Sequence, residues 1–211
     1  MTSITVEKFK HEELVNVLTH LPGVFIGITF TVLLLLKNYN APFSHLLSYI
    51  IYSISFVTIY AASTIYHHTK NSDRKQILKK IDHACIYLFM GGCYTPFVII
   101  NMTESIRYWF LAFVWFLVIM GIIYKFLSKY RGNKLSLILY FAFGFLCFLA
   151  KSEMLDNIPT DSFLFLVYGG IFYSIGAIFY MLKNIPYHHA IWHILVLCGS
   201  TSHFFAVYGT Y

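Results

Sequence analysis

Three histidines, His67, His189 and His193, stand with Ser63 and Asp82 at one end of long apolar stretches. Ionisable residues at a bilayer boundary mark a functional site by default, because burying them in hydrocarbon is costly. Ser63 and His67 are four residues apart, as are His189 and His193, and a helix returns to nearly the same face after that interval. Each pair can therefore point into one cavity, whereas the neighbours His68 and His188 lie roughly 100° away around their helices. Neutral imidazole is the commonest metal ligand among side chains that titrate near neutrality. Three of them leave the fourth position of a tetrahedral zinc open, the arrangement of a catalytic site rather than a closed structural one. Asp82 could accept a hydrogen bond from a metal-bound water or orient a histidine, and Ser63 could donate to Asp82 or to a substrate oxygen. On spacing alone a second reading stands beside this one, in which the imidazoles are polar residues of the headgroup boundary with no metal.

The elements that must hold these residues are membrane helices. Hydrophobic residues make up 58% of the 211, charged ones 11%, and mean hydropathy is +0.67, where a soluble domain carries roughly a quarter charged residues. Seven windows approach the ~20 residues that span a bilayer, at 18–36, 46–66, 84–100, 106–124, 135–150, 163–182 and 191–208. They predict an all-α, seven-transmembrane bundle forming one integral membrane domain over 1–211, which begins with a cytoplasmic segment at 1–17. Met1 to Glu13 is mixed in charge and lacks a short apolar core with a small-residue cleavage site, so no cleavable signal is expected. Cys85, Cys93, Cys147 and Cys198 all fall inside apolar segments without C-x-x-C spacing, which argues for small core hydrophobes rather than a disulfide or thiolate framework. The net charge of +6 has no aromatic-basic module beside it, so no nucleic-acid partner is expected.

Charge along the loops orients the bundle. Walking the connections alternately assigns Lys8, Lys10, Lys70, Arg74, Lys75, Lys79, Lys80, Lys125, Lys129, Arg131, Lys134 and Lys183 to one side, and only Lys37, Arg107 and Lys151 to the other. Twelve against three is a strong positive-inside bias, predicting a cytoplasmic N-terminus and an extracellular C-terminus. On this topology the second segment runs inward to Ser63, Tyr66 and His67, the third starts outward from Asp82, and the seventh starts outward with His189 and His193. All five site candidates then lie near the cytoplasmic face.

The runs Ser63-Thr64-Ile65-Tyr66-His67, Ile81-Asp82-His83-Ala84-Cys85-Ile86-Tyr87, Gly92-Cys93-Tyr94-Thr95-Pro96-Phe97 and His189-Ala190-Ile191-Trp192-His193, with Gly199 and His203 beyond, together resemble the hemolysin III family. That family belongs with the progestin and adiponectin receptors and, more distantly, the alkaline ceramidases. Glu13-x-x-Asn16-x-x-Thr19-His20 resembles its entry motif, so the likeness extends over nearly the whole chain. Cys93 departs from the threonine common in the family's A-G-T-Y-T-P-F run, away from the expected ligands. The resemblance implies a seven-helix fold, Zn2+ bound by His67, His189 and His193, Asp82 and Ser63 around the metal-bound water, and the plasma membrane of a bacterium. Family members include lytic proteins, receptors resembling amide hydrolases, and bacterial proteins associated with membrane fluidity, and a shared scaffold does not choose among them.

The favoured expectation is zinc-dependent hydrolysis of a membrane lipid amide or ester, with Asp82 as general base and Ser63 helping to hold the oxyanion. The lipid would enter sideways from the inner leaflet. The alternative is a non-enzymatic regulator or sensor of membrane lipid state in which zinc rivets the second and seventh helices. A lytic pore is disfavoured because no segment carries a polar stripe from face to face. Haem would need axial histidines on facing helices, and a retinal Schiff base a lysine that the seventh segment lacks. Glu13, Asn16 and His20 share one helical face, which either closes the cytoplasmic mouth of the cavity or only wets the start of the first helix. Pro96 after Gly91 and Gly92 predicts a kink with close packing. Trp109, Tyr187 and Trp192 read as interfacial aromatics, and topology is sufficient to explain the basic connection Lys70 to Lys80 without an anionic lipid.

Overall fold

The computed structural model describes residues 3–128 and 133–210. Lys129 and Arg131, two of the charges used for orientation, lie outside them, as do Met1, Thr2 and Tyr211. Among the described residues seven α-helices run in chain order: α1 (Ser3–Lys37), α2 (Phe43–His68), α3 (Ser72–Asn101), α4 (Glu104–Leu127), α5 (Asn133–Gly144), α6 (Thr160–Met181) and α7 (His188–Tyr208). No strand occurs among the described residues. Six of the helices, all but α5, are long and apolar enough to cross a membrane, which keeps their backbone polar groups bonded within each helix.

The fifth apolar window, expected to be one helix over 135–150, is instead a 12-residue α-helix followed by a 3-10 run, Phe145–Ala150. The cause is a side chain from α3. The Tyr94 hydroxyl donates to the carbonyls of Phe143 (2.9 Å) and Gly144 (3.1 Å) and accepts from the N–H of Cys147 (2.9 Å). Cys147 N–H and Phe143 C=O would be partners in a continuous α-helix. A hydroxyl inserted between them breaks the ladder there.

The helices also extend past their apolar windows. Asn71 caps α3 by accepting from the N–H groups of Asp73 (3.1 Å) and Arg74 (3.0 Å), satisfying donors that would otherwise be orphaned. The helix therefore begins at Ser72 and Asp82 sits about three turns into it. Thr95 bonds the Gly91 carbonyl (2.7 Å) one turn before Pro96, and Thr31, Thr64, Ser174, Ser200 and Thr210 do the same to their own preceding turns. These hydroxyls are thus satisfied locally.

α3 is the central helix, packed between α2 and α4 and touching α5 and α7, while α1 packs on α2 and α7, and α7 on α6. Buried aromatic rings fill the centre: Phe56 meets Phe89 edge to face (5.5 Å), and Phe30 of α1 stacks flat on Phe204 of α7 (3.6 Å). At Gly91 an added Cβ would stand 2.6 Å from the Val118 side chain, and at Gly199 2.7 Å from the Tyr173 ring. Those two glycines set how closely α3 approaches α4 and α7 approaches α6, because apolar surface in lipid gains little from association and close van der Waals packing must supply it. At one end Lys75 pairs with Glu13 and Lys80 donates to the Phe126 carbonyl. At the other Lys37 donates to the Tyr208 carbonyl and Lys151 pairs with Asp156. α7 is therefore parallel to α1, and the N-terminal ends of α1, α3 and α7 share one end of the bundle.

Candidate metal centre

α2 delivers His67 in its last turn and α7 delivers His189 in its first and His193 in its second. The chain enters α7 through Tyr187, whose backbone is left-handed (φ 58°, ψ 18°), a conformation that costs a non-glycine residue about 1–3 kcal/mol. Its ring anchors the turn, the hydroxyl lying 3.0 Å from His11 Nδ1 on α1. The reversal from α6 lets α7 begin at His188 and turns His189 toward α2.

The three imidazoles converge. Their rings are centred 4.5 to 5.1 Å apart, and one donor nitrogen of each lies within 4.8 Å of the others. His67 Nε2 and His189 Nε2 are 3.2 Å apart. Nitrogens bound to one tetrahedral zinc at about 2.0–2.1 Å are separated by roughly 3.3 Å, so this spacing is that of two ligands of a shared ion. His193 is wholly buried and its Nε2 has no hydrogen-bond partner. A buried nitrogen without a partner is costly, and a cation between the rings would satisfy it. The residues present fit a three-histidine zinc site.

Helix α1 decides which nitrogen His67 and His193 offer. His67 Nδ1 lies 3.2 Å from Glu13 Oε2, closer than the 3.5 Å to Asn16 Nδ2. The carboxylate can only accept, so Nδ1 carries the proton and Nε2 the lone pair. His193 Nδ1 lies 3.3 Å from the Asn16 carbonyl oxygen, also only an acceptor, and 3.2 Å from Thr19 Oγ1, whose own hydroxyl faces the Val15 and Asn16 carbonyls. The same tautomer follows. His20 is also buried here, stacking on His193 with ring centres 3.5 Å apart and meeting Tyr60 edge to face.

Ser63 and Asp82 are both buried, Ser63 one turn before His67 on α2. The Ser63 hydroxyl has no hydrogen-bond partner. Asp82 Oδ2 lies 3.2 Å from Nδ1 of its neighbour His83, and its carboxylate is within electrostatic range of His67 and His20. Neither residue is paired with the other. Trp192 and Tyr180 close the side of His189, at 5.0 and 5.9 Å between ring centres. Glu13, Asn16 and His20 were legible as one helical face, and their contacts, with those of Thr19, set that face against the His67 and His193 rings. Their signal was the i, i+3, i+7 spacing of polar groups at the head of an apolar run.

Residues 9–204 match the family described as haemolysin-III related. The chain is 37% identical over 198 residues to the Hemolysin-3 homolog of Bacillus subtilis (strain 168), covering 93% of this chain and 92% of that protein. It is 34% identical over 208 residues to Hemolysin-3 of Bacillus cereus, covering 98% and 94%. Similarity reaches the Monocyte to macrophage differentiation factor of Homo sapiens, 28% identical over 166 residues, 75% of this chain and 68% of that protein.

Proposed function

The chain belongs to the haemolysin-III related family and is a multi-pass helical membrane protein, and from that premise we propose that it is a zinc-dependent hydrolase of a membrane lipid amide or ester. The observation that carries the proposal is the triangle of imidazoles, with two Nε2 atoms 3.2 Å apart and the third buried without a partner. His67, His189 and His193 would hold the metal. Bound there, zinc would supply an acidified water and polarise a carbonyl through its open position. Asp82 takes the proton of the attacking water on a carboxylate oxygen and passes it to the leaving nitrogen or oxygen as the acyl bond breaks. The Ser63 hydroxyl, free of other partners, donates to the substrate carbonyl oxygen as negative charge grows there.

The bundle has seven crossings in this reading. Support comes from the fifth segment, where Tyr140 donates to the His83 carbonyl about three turns into α3 and Asn157 to the Asn101 carbonyl at its far end. Twelve residues of α-helix and six of 3-10 helix rise together about 30 Å, the thickness of the hydrocarbon core. The lysine and arginine bias supports a cytoplasmic N-terminus in a bacterial plasma membrane, with the histidines at the inner face.

A second reading, a regulator of membrane lipid state with a structural metal, is favoured by the way α1, α2 and α7 all meet at the rings. Two measurements separate the readings. Metal analysis of protein purified without chelator is expected to find one zinc per chain in the wild type and a loss of it in His189→Ala. Metal-free wild type overturns both readings. Prolonged incubation of the zinc-loaded protein with a candidate ceramide or phospholipid is expected to release fatty acid, and a loaded protein that releases none leaves the regulator.

A further inference from the structure

One carboxylate ties the histidine cluster to a third helix. Glu13 Oε2 lies against both the ring N–H of His67 and the ammonium group of Lys75, so α1, the last turn of α2 and the first turns of α3 meet at a single oxygen. The side chains of all three residues are largely withdrawn from solvent, where charges act on each other more strongly than in water. Lys75 reaches this position because Asn71 starts α3 four residues earlier. Of the two rings whose Nδ1 partners are given above, His193 has a neutral backbone carbonyl and only His67 has an anion.

A carboxylate that accepts from the Nδ1–H of an imidazole pushes electron density toward Nε2 and makes it a stronger ligand. An ammonium on the same carboxylate draws that density away. We propose that Glu13 is a positioning residue that sets how tightly the three-histidine site holds its metal, and that Lys75 opposes it through the shared oxygen. The inference rests on the metal reading given above and adds a control to it. Affinity is tuned from outside the ligand set by two residues that touch neither metal nor substrate.

The test uses the full chain in detergent or nanodiscs with Co2+ as the probe, which takes the same nitrogen ligands as zinc and whose visible absorption reports them. Affinity is measured by competition with a chelator for the wild type, Glu13→Gln, Lys75→Met and the double variant. Glu13→Gln keeps the size of the side chain and its accepting oxygen but removes the charge, and is expected to weaken Co2+ binding about 10–100-fold. Lys75→Met is expected to tighten binding in the wild-type background and to lose that effect in the Glu13→Gln background, the signature of coupling through one group. The melting temperatures of the metal-free variants are expected to stay near that of the wild type, separating positioning from a structural tie. Equal affinity of Glu13→Gln and wild type, or a Lys75→Met effect of the same size in both backgrounds, overturns the proposal. Should Glu13→Gln not fold, Lys75→Met alone decides it, an unchanged or weaker affinity being the overturning result. A wild type that takes up no Co2+ overturns the metal reading itself, an outcome distinct from a wild type that binds and a Glu13→Gln that binds equally.

Discussion

An imidazole has two nitrogens, and the one that is tied up decides what the other can do. In this protein the tying is done by groups that can only accept: a carboxylate at His67 and a backbone carbonyl at His193. Both rings consequently offer Nε2, and His189 meets the first of them at 3.2 Å. Asp82 stands apart from that arrangement, its oxygen against His83 rather than against a ligand ring. Asp82→Asn is therefore expected to retain zinc by metal analysis while lipid hydrolysis falls by about 10²–10⁴-fold, the usual cost of losing a general base. Unchanged hydrolysis would remove Asp82 from the chemistry. The grouping of His67, His189 and His193 as candidate ligands was legible from two i, i+4 spacings. The choice of nitrogen was not, because it depends on α1 residues about fifty to a hundred and eighty positions away in the chain.

Each helix of the bundle does what its composition dictates except α5. The apolar run from Leu135 to Ala150 is shorter than the six long apolar helices, and the hydroxyl of Tyr94 interrupts it by occupying the place of one helical hydrogen bond. Tyr94→Phe removes the hydroxyl and lets the Cys147 amide find the Phe143 carbonyl. The expected outcome is slower hydrogen exchange at the Cys147 amide together with a net loss of roughly 1 kcal/mol in stability, since more bonds are broken than remade. Exchange at Cys147 that is unchanged or faster would mean that the tyrosine is not the cause of the break. Helix ends were the least legible feature of the elements. The apolar windows mark the hydrocarbon, whereas the start of α3 is set by the side chain of Asn71 and that of α7 by the left-handed Tyr187, and neither residue belongs to an apolar period.

At the scale of the whole molecule, charge and packing meet at the two ends of the bundle. Lys75 and Lys80 lie at the end that carries the histidines, and Lys37 and Lys151 at the opposite end. In cells, a cysteine introduced as Lys151→Cys is expected to react with a membrane-impermeant maleimide, and one introduced as Lys79→Cys only after the membrane is opened. The reverse pattern would invert the bundle and move the site to the outer face. The sequence by itself determined that the chain is an all-helical membrane protein and which residues on the second and last long helices are candidate ligands, because hydropathy and helical period act locally along the chain. Only the tertiary structure decided that α1 forms the outer wall of the histidine cluster, that the fifth segment breaks, and that Glu13 is shared with Lys75. Those outcomes depend on which helices become neighbours, and neighbours are chosen by close packing at residues such as Gly91 and Gly199, where the absence of a side chain carries no period to read.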